Sequence, residues 1–526
     1  MMDWRVNLIV APILLPLAGA AFILLFGESR RALRRATGIV TVTGLAALSL
    51  LLLEMAAGQE GPLTYRIGDW PVPFAITLVL DRLSAMMLVL TGILGGASIL
   101  YASSRWDRAG PRFHALVLLQ LMGLNGAFLT GDLFNLFVFF EVLLAASYGL
   151  LLHGTGRERV SAALHYIVIN VVASLLFLIG ASLIYGVTGT LNIADLAVRM
   201  SDVRQDDVVL LKSGLAVLGI AFFIKAAIWP LGFWLPTTYS AATPPAAALF
   251  AILSKVGIYA VLRVILLPAG VDAAALPHVW LESAGMVTIA FGTIGLLASR
   301  TLPRLAGHSL IISTGILLAT IGVGGEVLAG ALYYLVSSTL ALSAFYLLIE
   351  LVGRSEMEPA AGEVPDPVFD DEYQGLLEQK SEAPVGVVIP ATLAILGGGF
   401  LFCAVLIAGL PPLSGFVGKV LIIDALLDQR HAGSGTWSLI LLIILSGLAT
   451  VIATSRAGVD FIWTPEAPRH HLRLFEAIAI GTLLLLCFGL TIFAGPMTDY
   501  LRHTVASSGV LAASSHQVPS ALGIFP

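Results

Sequence analysis

The chain has 526 residues, 58% hydrophobic and 12% charged, with a mean hydropathy of +0.95; an ordinary soluble domain carries roughly 25% charged residues, so a soluble globular fold is excluded. The formal net charge of −5 resides in loops, and no basic run or aromatic-interleaved basic face is present, which excludes nucleic acid as a partner. Cys403 and Cys487 lie in apolar segments and read as buried thiols rather than a disulfide or a metal site.

The start, Met1-Met2-Asp3-Trp4-Arg5, leads into an apolar run of about 20 residues, longer than a signal-peptide core of about 7–15. It predicts an uncleaved first helix. Apolar stretches long enough to span a bilayer then recur at 7–26, 37–56, 81–103, 113–130, 132–152, 160–186, 208–231, 243–267, 276–299, 304–323, 326–352, 385–427 (interrupted at 409–415), 436–455 and 473–494. The expected fold is an all-α polytopic membrane protein of about fourteen transmembrane helices. Residues 62–79 alternate in polarity around Pro71 and Pro73 and predict a small external hairpin. Residues 187–207 predict an external loop with a short surface helix. The acidic loop at 353–384 reads either as a solvated linker or as a docking surface for another subunit. The segment after about 495 is polar and reads as a tail without fixed structure.

Orientation follows from the basic residues. Alternate loops hold Arg30, Arg31, Arg34 and Arg35; Arg105, Arg108 and Arg112; Arg157 and Arg159; Arg300 and Arg304; Arg354 and Lys380; Arg456, Arg469 and Arg473. The opposite set holds only Arg66, Arg199, Arg204 and Arg430. The first set is therefore placed in the cytoplasm and both termini outside. The expected organisation is 1–112 with helices one to three, 113–267 as a first five-helix repeat, 268–455 as a second, and 456–526 with helix fourteen and the tail. Five is odd, so the second repeat enters from the opposite side, which generates inverted topology.

In each repeat the fourth helix carries a proline break and a lysine. One reads Phe222-Phe-Ile-Lys225-Ala-Ala-Ile-Trp229-Pro230; the other reads Gly409-Leu-Pro411-Pro412-Leu-Ser-Gly415-Phe-Val-Gly-Lys419. A charge in hydrocarbon costs roughly 2.5–3.5 kcal/mol on insertion scales, and a mid-helix proline frees a carbonyl that lipid cannot satisfy. The combination points to an ion-conducting core in which Pro230, Pro411 and Pro412 support the lysines. Glu141 lies about nine residues into its helix, roughly 14 Å deep, and Lys225 is its expected partner. Such a partner keeps the carboxylate charged and makes both groups responsive to a passing proton. Lys255 is central in the eighth span, too far from either end to snorkel easily. The eleventh span carries Tyr333, Tyr334, Ser337 and Ser338, hydroxyls that either hold a water chain or serve helix packing. His114, His165 and His308 are weaker candidates for proton traffic. Asp81 and Arg82 read as a local ion pair, and Arg263 as an interfacial anchor. There is no cysteine cluster for Fe–S, no phosphate loop and no dinucleotide fingerprint, so no cofactor, metal or enzymatic centre is expected.

These motifs resemble the antiporter-like proton-conducting subunits shared by Mrp-type multisubunit cation/proton antiporters and respiratory complex I. The resemblance is strongest at about 110–265 and 405–425. Within it the chain is most similar to the D-subunit branch of the Mrp (also called Pha) antiporters. The stretch Thr130-Gly-Asp-Leu-Phe-Asn-Leu-Phe-Val-Phe-Phe-Glu141 lacks the proline that complex I homologues place soon after this glutamate, and Leu235-Pro-Thr-Thr-Tyr239 also looks Mrp-like. The resemblance implies that Glu141 and Lys225 form an acid–lysine pair, that Lys255 is a bridging lysine and that Lys419 belongs to the second broken helix. Many relatives carry a histidine or a further lysine where Ser337, Ser338 and Leu342 stand here, so water held by the two serines is expected to bridge Lys255 and Lys419. The implied function is proton translocation along Glu141, Lys225, Lys255 and Lys419 in a Na⁺(K⁺)/H⁺ antiporter of the plasma membrane, acting in pH homeostasis with its partner subunits, protons, monovalent cations and lipid. The alternative is a proton-pumping subunit of a redox complex, an NADH:quinone oxidoreductase or a membrane hydrogenase.

Overall fold

Lipid offers backbone N–H and C=O groups no partners, so a chain this apolar must satisfy them within helices. The computed structural model describes residues 4–25, 30–59, 61–71, 75–110, 112–154, 156–265, 278–353, 391–428, 433–462 and 472–514. Among them, twelve helices are long and apolar enough to cross a membrane, accompanied by two shorter apolar helices, Phe113–Leu129 and Ala394–Ala408.

In chain order, the short α1 (Trp4–Asn7) precedes α2 (Ala11–Leu25) and α3 (Arg31–Ala57). The expected hairpin follows: β1 (Leu63–Arg66) runs antiparallel to β2 (Thr77–Leu80), with Leu63 opposite Leu80 and Arg66 opposite Thr77. Next come α4 (Arg82–Ser104), α5 (Phe113–Leu129), α6 (Leu133–Leu151) and α7 (Arg157–Thr188). The loop at 187–207 holds its short helix, α8 (Ile193–Arg199), started by the Asn192 side chain accepting from the Ala194 and Asp195 amides. Asn192 Nδ2 also donates to Thr77 Oγ1 at 2.9 Å, so the hairpin and this loop close one end of the bundle together. The remaining helices are α9 (Val208–Ala226), α10 (Trp234–Ala241), α11 (Pro244–Phe250), α12 (Leu253–Ala260), α13 (His278–Ala298), α14 (Leu302–Val323), α15 (Val327–Gly353), α16 (Ala391–Ala408), α17 (Ser414–Leu427), α18 (Ser434–Ile462), α19 (Leu474–Ile492) and α20 (Ala494–Ser514).

The bundle is layered. In α15, 94% of the membrane window is inside the protein, against 28% in α19. The innermost helix can therefore carry hydroxyls that a lipid-facing helix could not. Ser337, Ser338, Tyr333 and Tyr334 are all buried there.

Among the described residues three helices are broken rather than two. At the first break α9 stops at Ala226, and Ala227 takes the left-handed conformation (φ 57°, ψ 43°). Pro230 cannot continue the ladder, and the chain resumes as α10. A Cβ on Gly232 would sit 2.1 Å from the Ala227 oxygen, so only glycine fits the return. The spanning unit thus extends to Ala241, ten residues past the predicted end at 231. At the second break α16 ends at Ala408, Gly409 is left-handed (φ 74°), and α17 begins after Pro411 and Pro412. A Cβ on Gly415 would lie 1.9 Å from the Leu406 oxygen. The third break divides the eighth span, expected to be continuous, between α11 and α12 at Ala251 and Ile252. Neither residue is a helix breaker, so the local sequence carries no signal for it. The Lys255 amide there bonds to the Ile252 oxygen at 3.0 Å, a shortened turn that sets the lysine at a helix start.

Two readings are corrected. Asp81 does not pair with Arg82. It caps α4 through Ser84 and pairs with Arg263 Nη1 at 2.5 Å, while Arg82 donates to the Ala57 oxygen at 2.9 Å. Arg263 is thus held by a carboxylate across the fold, not by the interface. Nor is the chain beyond 495 an unstructured tail: α20 covers Ala494–Ser514. Leu501 is fully buried, and the Tyr500 phenol donates to the Arg82 oxygen at 2.7 Å. Its contacts at Met497, Tyr500, Leu501 and Thr504 follow a helical period that its polar composition masks. Residues 354–384 of the acidic loop, with Arg354 and Lys380, lie outside the described residues, as do Arg430 and Arg469.

Candidate functional site

Lys255 is fully buried. Its ammonium donates to Ser313 Oγ at 2.7 Å, and Ser313 Oγ lies 3.0 Å from Ser338 Oγ. Ser338 in turn donates to the Leu335 oxygen at 3.3 Å. The three side chains, from α12, α14 and α15, form one hydrogen-bonded chain from ammonium to hydroxyl to hydroxyl.

Ser338 also lines a cavity with Ser309, Tyr334, Leu342, Gly415, Lys419 and Thr450. Its volume of ≈ 10 Å³ is space for about one water molecule. Lys419 enters from the far wall, 6% exposed. Its ammonium donates to the Ala408 oxygen at 2.7 Å, a carbonyl freed where α16 stops. Lys255 and Lys419 therefore stand at the two ends of a polar line through Ser313, Ser338 and the cavity. Ser337 plays another part: its hydroxyl donates to Ser414 Oγ at 2.8 Å and pins α15 to the start of α17 beside Pro411 and Pro412.

At the first break the geometry is looser. Glu141, on α6, accepts a hydrogen bond from the Ser174 hydroxyl of α7. The Lys225 ammonium lies over the Phe140 ring, 5.5 Å from its centroid, a cation–π contact. No ion pair within 4 Å joins Glu141 to Lys225 among the described residues; the ammonium instead contacts Phe140, the residue before Glu141. The expected pair is thus not closed as an ion pair. The Ile224 carbonyl accepts both the Ala227 amide at 3.1 Å and the Trp234 indole at 3.2 Å, and the Trp229 amide donates to Thr288 Oγ1 at 3.1 Å. α9 and α12 meet closely here: a Cβ on Gly257 would lie 2.6 Å from the Ala226 nitrogen.

The weaker candidates stand apart from this line. The His165 ring bonds back to the Ser161 oxygen, and that of His308 to the Arg304 oxygen. His114 is buried 3.9 Å from the Asp107 carboxylate, beyond hydrogen-bond reach. Asp107 went unread in the sequence. It sits in the turn between α4 and α5 and accepts from Arg31 and from Arg35 Nη2 at 2.9 Å. Ser313 and Thr450 were also unread. The signal for Ser313 was its spacing of four from Ser309, which places two hydroxyls on one helical face.

The family described as "NADH:quinone oxidoreductase/Mrp antiporter, TM" matches residues 130–453. The chain is 49% identical to the D-subunit of a probable K(+)/H(+) antiporter of Rhizobium meliloti (strain 1021), over 98% of each chain. It is 33% identical to the D-subunit of a Na(+)/H(+) antiporter of Bacillus subtilis (strain 168), over 95% of this chain and 97% of that one. Among solved structures, it superposes on a chain of the Mrp complex from Dietzia sp. DQ12-45-1b with a TM-score of 0.81 and 22% identity, covering 99% of this chain and 100% of that one. It also superposes on a chain of the membrane-bound sulfane sulfur reductase (MBS), an archaeal respiratory membrane complex, with a TM-score of 0.84 and 21% identity, covering 97% and 99%. At these identities the two structures establish the fold alone.

Proposed function

Because the chain belongs to the NADH:quinone oxidoreductase/Mrp antiporter membrane family, we propose that it is the proton-translocating subunit of a multisubunit monovalent cation/proton antiporter in the plasma membrane, with both termini outward. Protons pass along Glu141, Lys225, Lys255 and Lys419, with Ser313, Ser338 and the cavity as the link between the last two. The observation that carries this reading is that polar line, because each buried ammonium costs stability that an apolar residue would recover. The open Glu141–Lys225 arrangement supports a gate, in which the charge state of the pair decides whether the Lys225 proton moves on toward Lys255. The shared pattern of the two proline breaks supports two related five-helix halves. The relative at 49% identity has K⁺ in its name and that at 33% has Na⁺, so these are the two cations to test.

The test uses inverted vesicles from antiporter-deficient cells expressing the full set of subunits. A pH gradient is established, K⁺ or Na⁺ is added, and its collapse is followed. Cation-dependent collapse, lost in Lys225→Ala and Lys255→Ala at normal assembly, is the expected outcome. Collapse retained in both variants would falsify the relay. No response to either cation in the assembled wild-type complex would transfer the reading to a redox-driven pump.

A further inference from the structure

The segment that carries Lys255 begins at a break with no proline or glycine and is only eight residues long, Leu253–Ala260. A helix this short does not hold its own rotation. On one side it is fixed by close backbone approach, where a Cβ on Gly257 would lie 2.6 Å from the Ala226 nitrogen. At the end remote from the break it continues into a π-helical turn over Val261–Ile265, a local widening that in other proteins is often found at functional sites.

That turn presents Arg263 to a network reaching two other helices. Arg263 Nη1 and Nη2 meet Asp81 Oδ2 at 2.5 Å and Oδ1 at 2.6 Å, a bidentate fork that fixes direction as well as distance. The two side chains are 17% and 12% exposed. Asp81 is itself immobilised at the start of α4, where its Oδ1 accepts from the Ser84 amide at 2.8 Å. Arg263 Nε donates to the Tyr259 hydroxyl at 2.9 Å, and its guanidinium lies 5.0 Å from the centroid of that ring. The Tyr259 hydroxyl then donates to the Phe128 oxygen at 2.6 Å, a carbonyl in the last turn of α5 that has no partner within its own helix. The Phe128 and Tyr259 rings meet edge to face at 5.0 Å. Lys255, Tyr259 and Arg263 follow one another at intervals of four, so one turn separates the lysine from the anchored phenol. A buried ion pair is weak evidence for stability, since apolar residues often serve as well; its better-attested use is to fix register.

We propose that Asp81, Arg263 and Tyr259 are positioning residues for proton transfer at Lys255. They tie the far end of the eighth span to α4 and α5, and so hold the lysine, behind its unmarked break, in register with Ser313. None of the three touches the polar line from Lys255 to Lys419; they act through the rotation of α12. The proposal rests on the relay reading, since register matters to flux only if Lys255 exchanges protons.

The experiment measures proton flux per assembled complex in Tyr259→Phe and in the neutral pair Asp81→Asn with Arg263→Gln, each alone and combined with Ser313→Ala, beside Lys255→Ala. Tyr259→Phe keeps the ring contacts and the ion pair, so it decides the matter if the neutral pair fails to assemble. Maximal flux is expected to fall roughly three- to tenfold in each, the loss of about one hydrogen bond, while the cation concentration for half-maximal rate stays unchanged. Combination with Ser313→Ala should slow flux no further than Ser313→Ala alone, because both changes act on the same contact. Wild-type flux in Tyr259→Phe and in the assembled neutral pair, or losses that multiply with that of Ser313→Ala, with Lys255→Ala inactive, overturns the positioning role and leaves the relay standing. Full flux in Lys255→Ala overturns the relay and the positioning role with it.

Discussion

Lys255 is held by a single hydroxyl: no carboxylate pairs with its ammonium among the described residues, and Ser313 accepts its proton-bearing nitrogen at 2.7 Å. A charged donor loses about 1.5–3 kcal/mol when its acceptor is removed. Ser313→Ala should therefore slow proton flux by about tenfold or more while leaving the fold intact, and Ser313→Thr should retain it. Flux in vesicles, normalised to assembled complex, checks both; an alanine variant at wild-type rate would remove Ser313 from the relay. Glu141 is the contrasting case. Its depth was evident from counting along an apolar run, but its contact with Ser174 depends on how α7 packs against α6, which no local pattern encodes.

At the scale of elements, the two proline breaks solve one problem with different chemistry. Each frees a carbonyl in the protein interior, which must be paired. At the first the Ala227 amide and the Trp234 indole share the Ile224 oxygen, donors that do not titrate, and Lys225 is left to face Phe140. At the second the Lys419 ammonium itself takes the Ala408 oxygen. Lys225 precedes its break and Lys419 follows its own, a difference visible in the sequence whose consequence appears only once the carbonyl partners are known. The second break also requires backbone contact at Gly415, where a methyl group would meet the Leu406 oxygen at 1.9 Å. Backbone cannot yield as a side chain can. Gly415→Ala should cost about 1–3 kcal/mol and displace Lys419, giving a lower thermal midpoint in detergent together with reduced flux. A normal midpoint would show that the break tolerates a wider separation.

For the whole molecule, the ends of the bundle are tied by charge outside the membrane-spanning segments. Burial would push the Asp107 carboxyl up, but the hydrogen bonds and charges of Arg31 and Arg35 outweigh it and hold the carboxyl well below the usual carboxylate range. A group with a depressed folded-state pKa contributes stability above its unfolded value, about 3.9 for aspartate, and loses that contribution as pH falls toward the folded value. Asp107→Asn should thus lower stability by about 1–3 kcal/mol, discounted because both arginines are about a third exposed. The deficit should stay constant between pH 5 and 8, roughly, and shrink below about pH 4. Thermal unfolding of the purified complex across that range is the check; a deficit that grew on acidification would contradict the pairing.

Composition and hydrophobic run length determined the membrane class and the approximate helix positions, and singled out three lysines and a glutamate as candidates, because a charge within an apolar run is visible in local sequence and costly in hydrocarbon. Proline marked two of the three breaks for the same local reason. The tertiary structure decided the rest. The break before Lys255 has no proline or glycine at its turn, and the partner of Asp81 proved to be Arg263, 182 residues away. Likewise the polar line between Lys255 and Lys419 passes through Ser313, a residue unremarkable in its own helix. Each depends on which faces of distant helices meet, and the packing of nearly featureless apolar surfaces fixes that choice through shape, which a one-dimensional pattern does not carry.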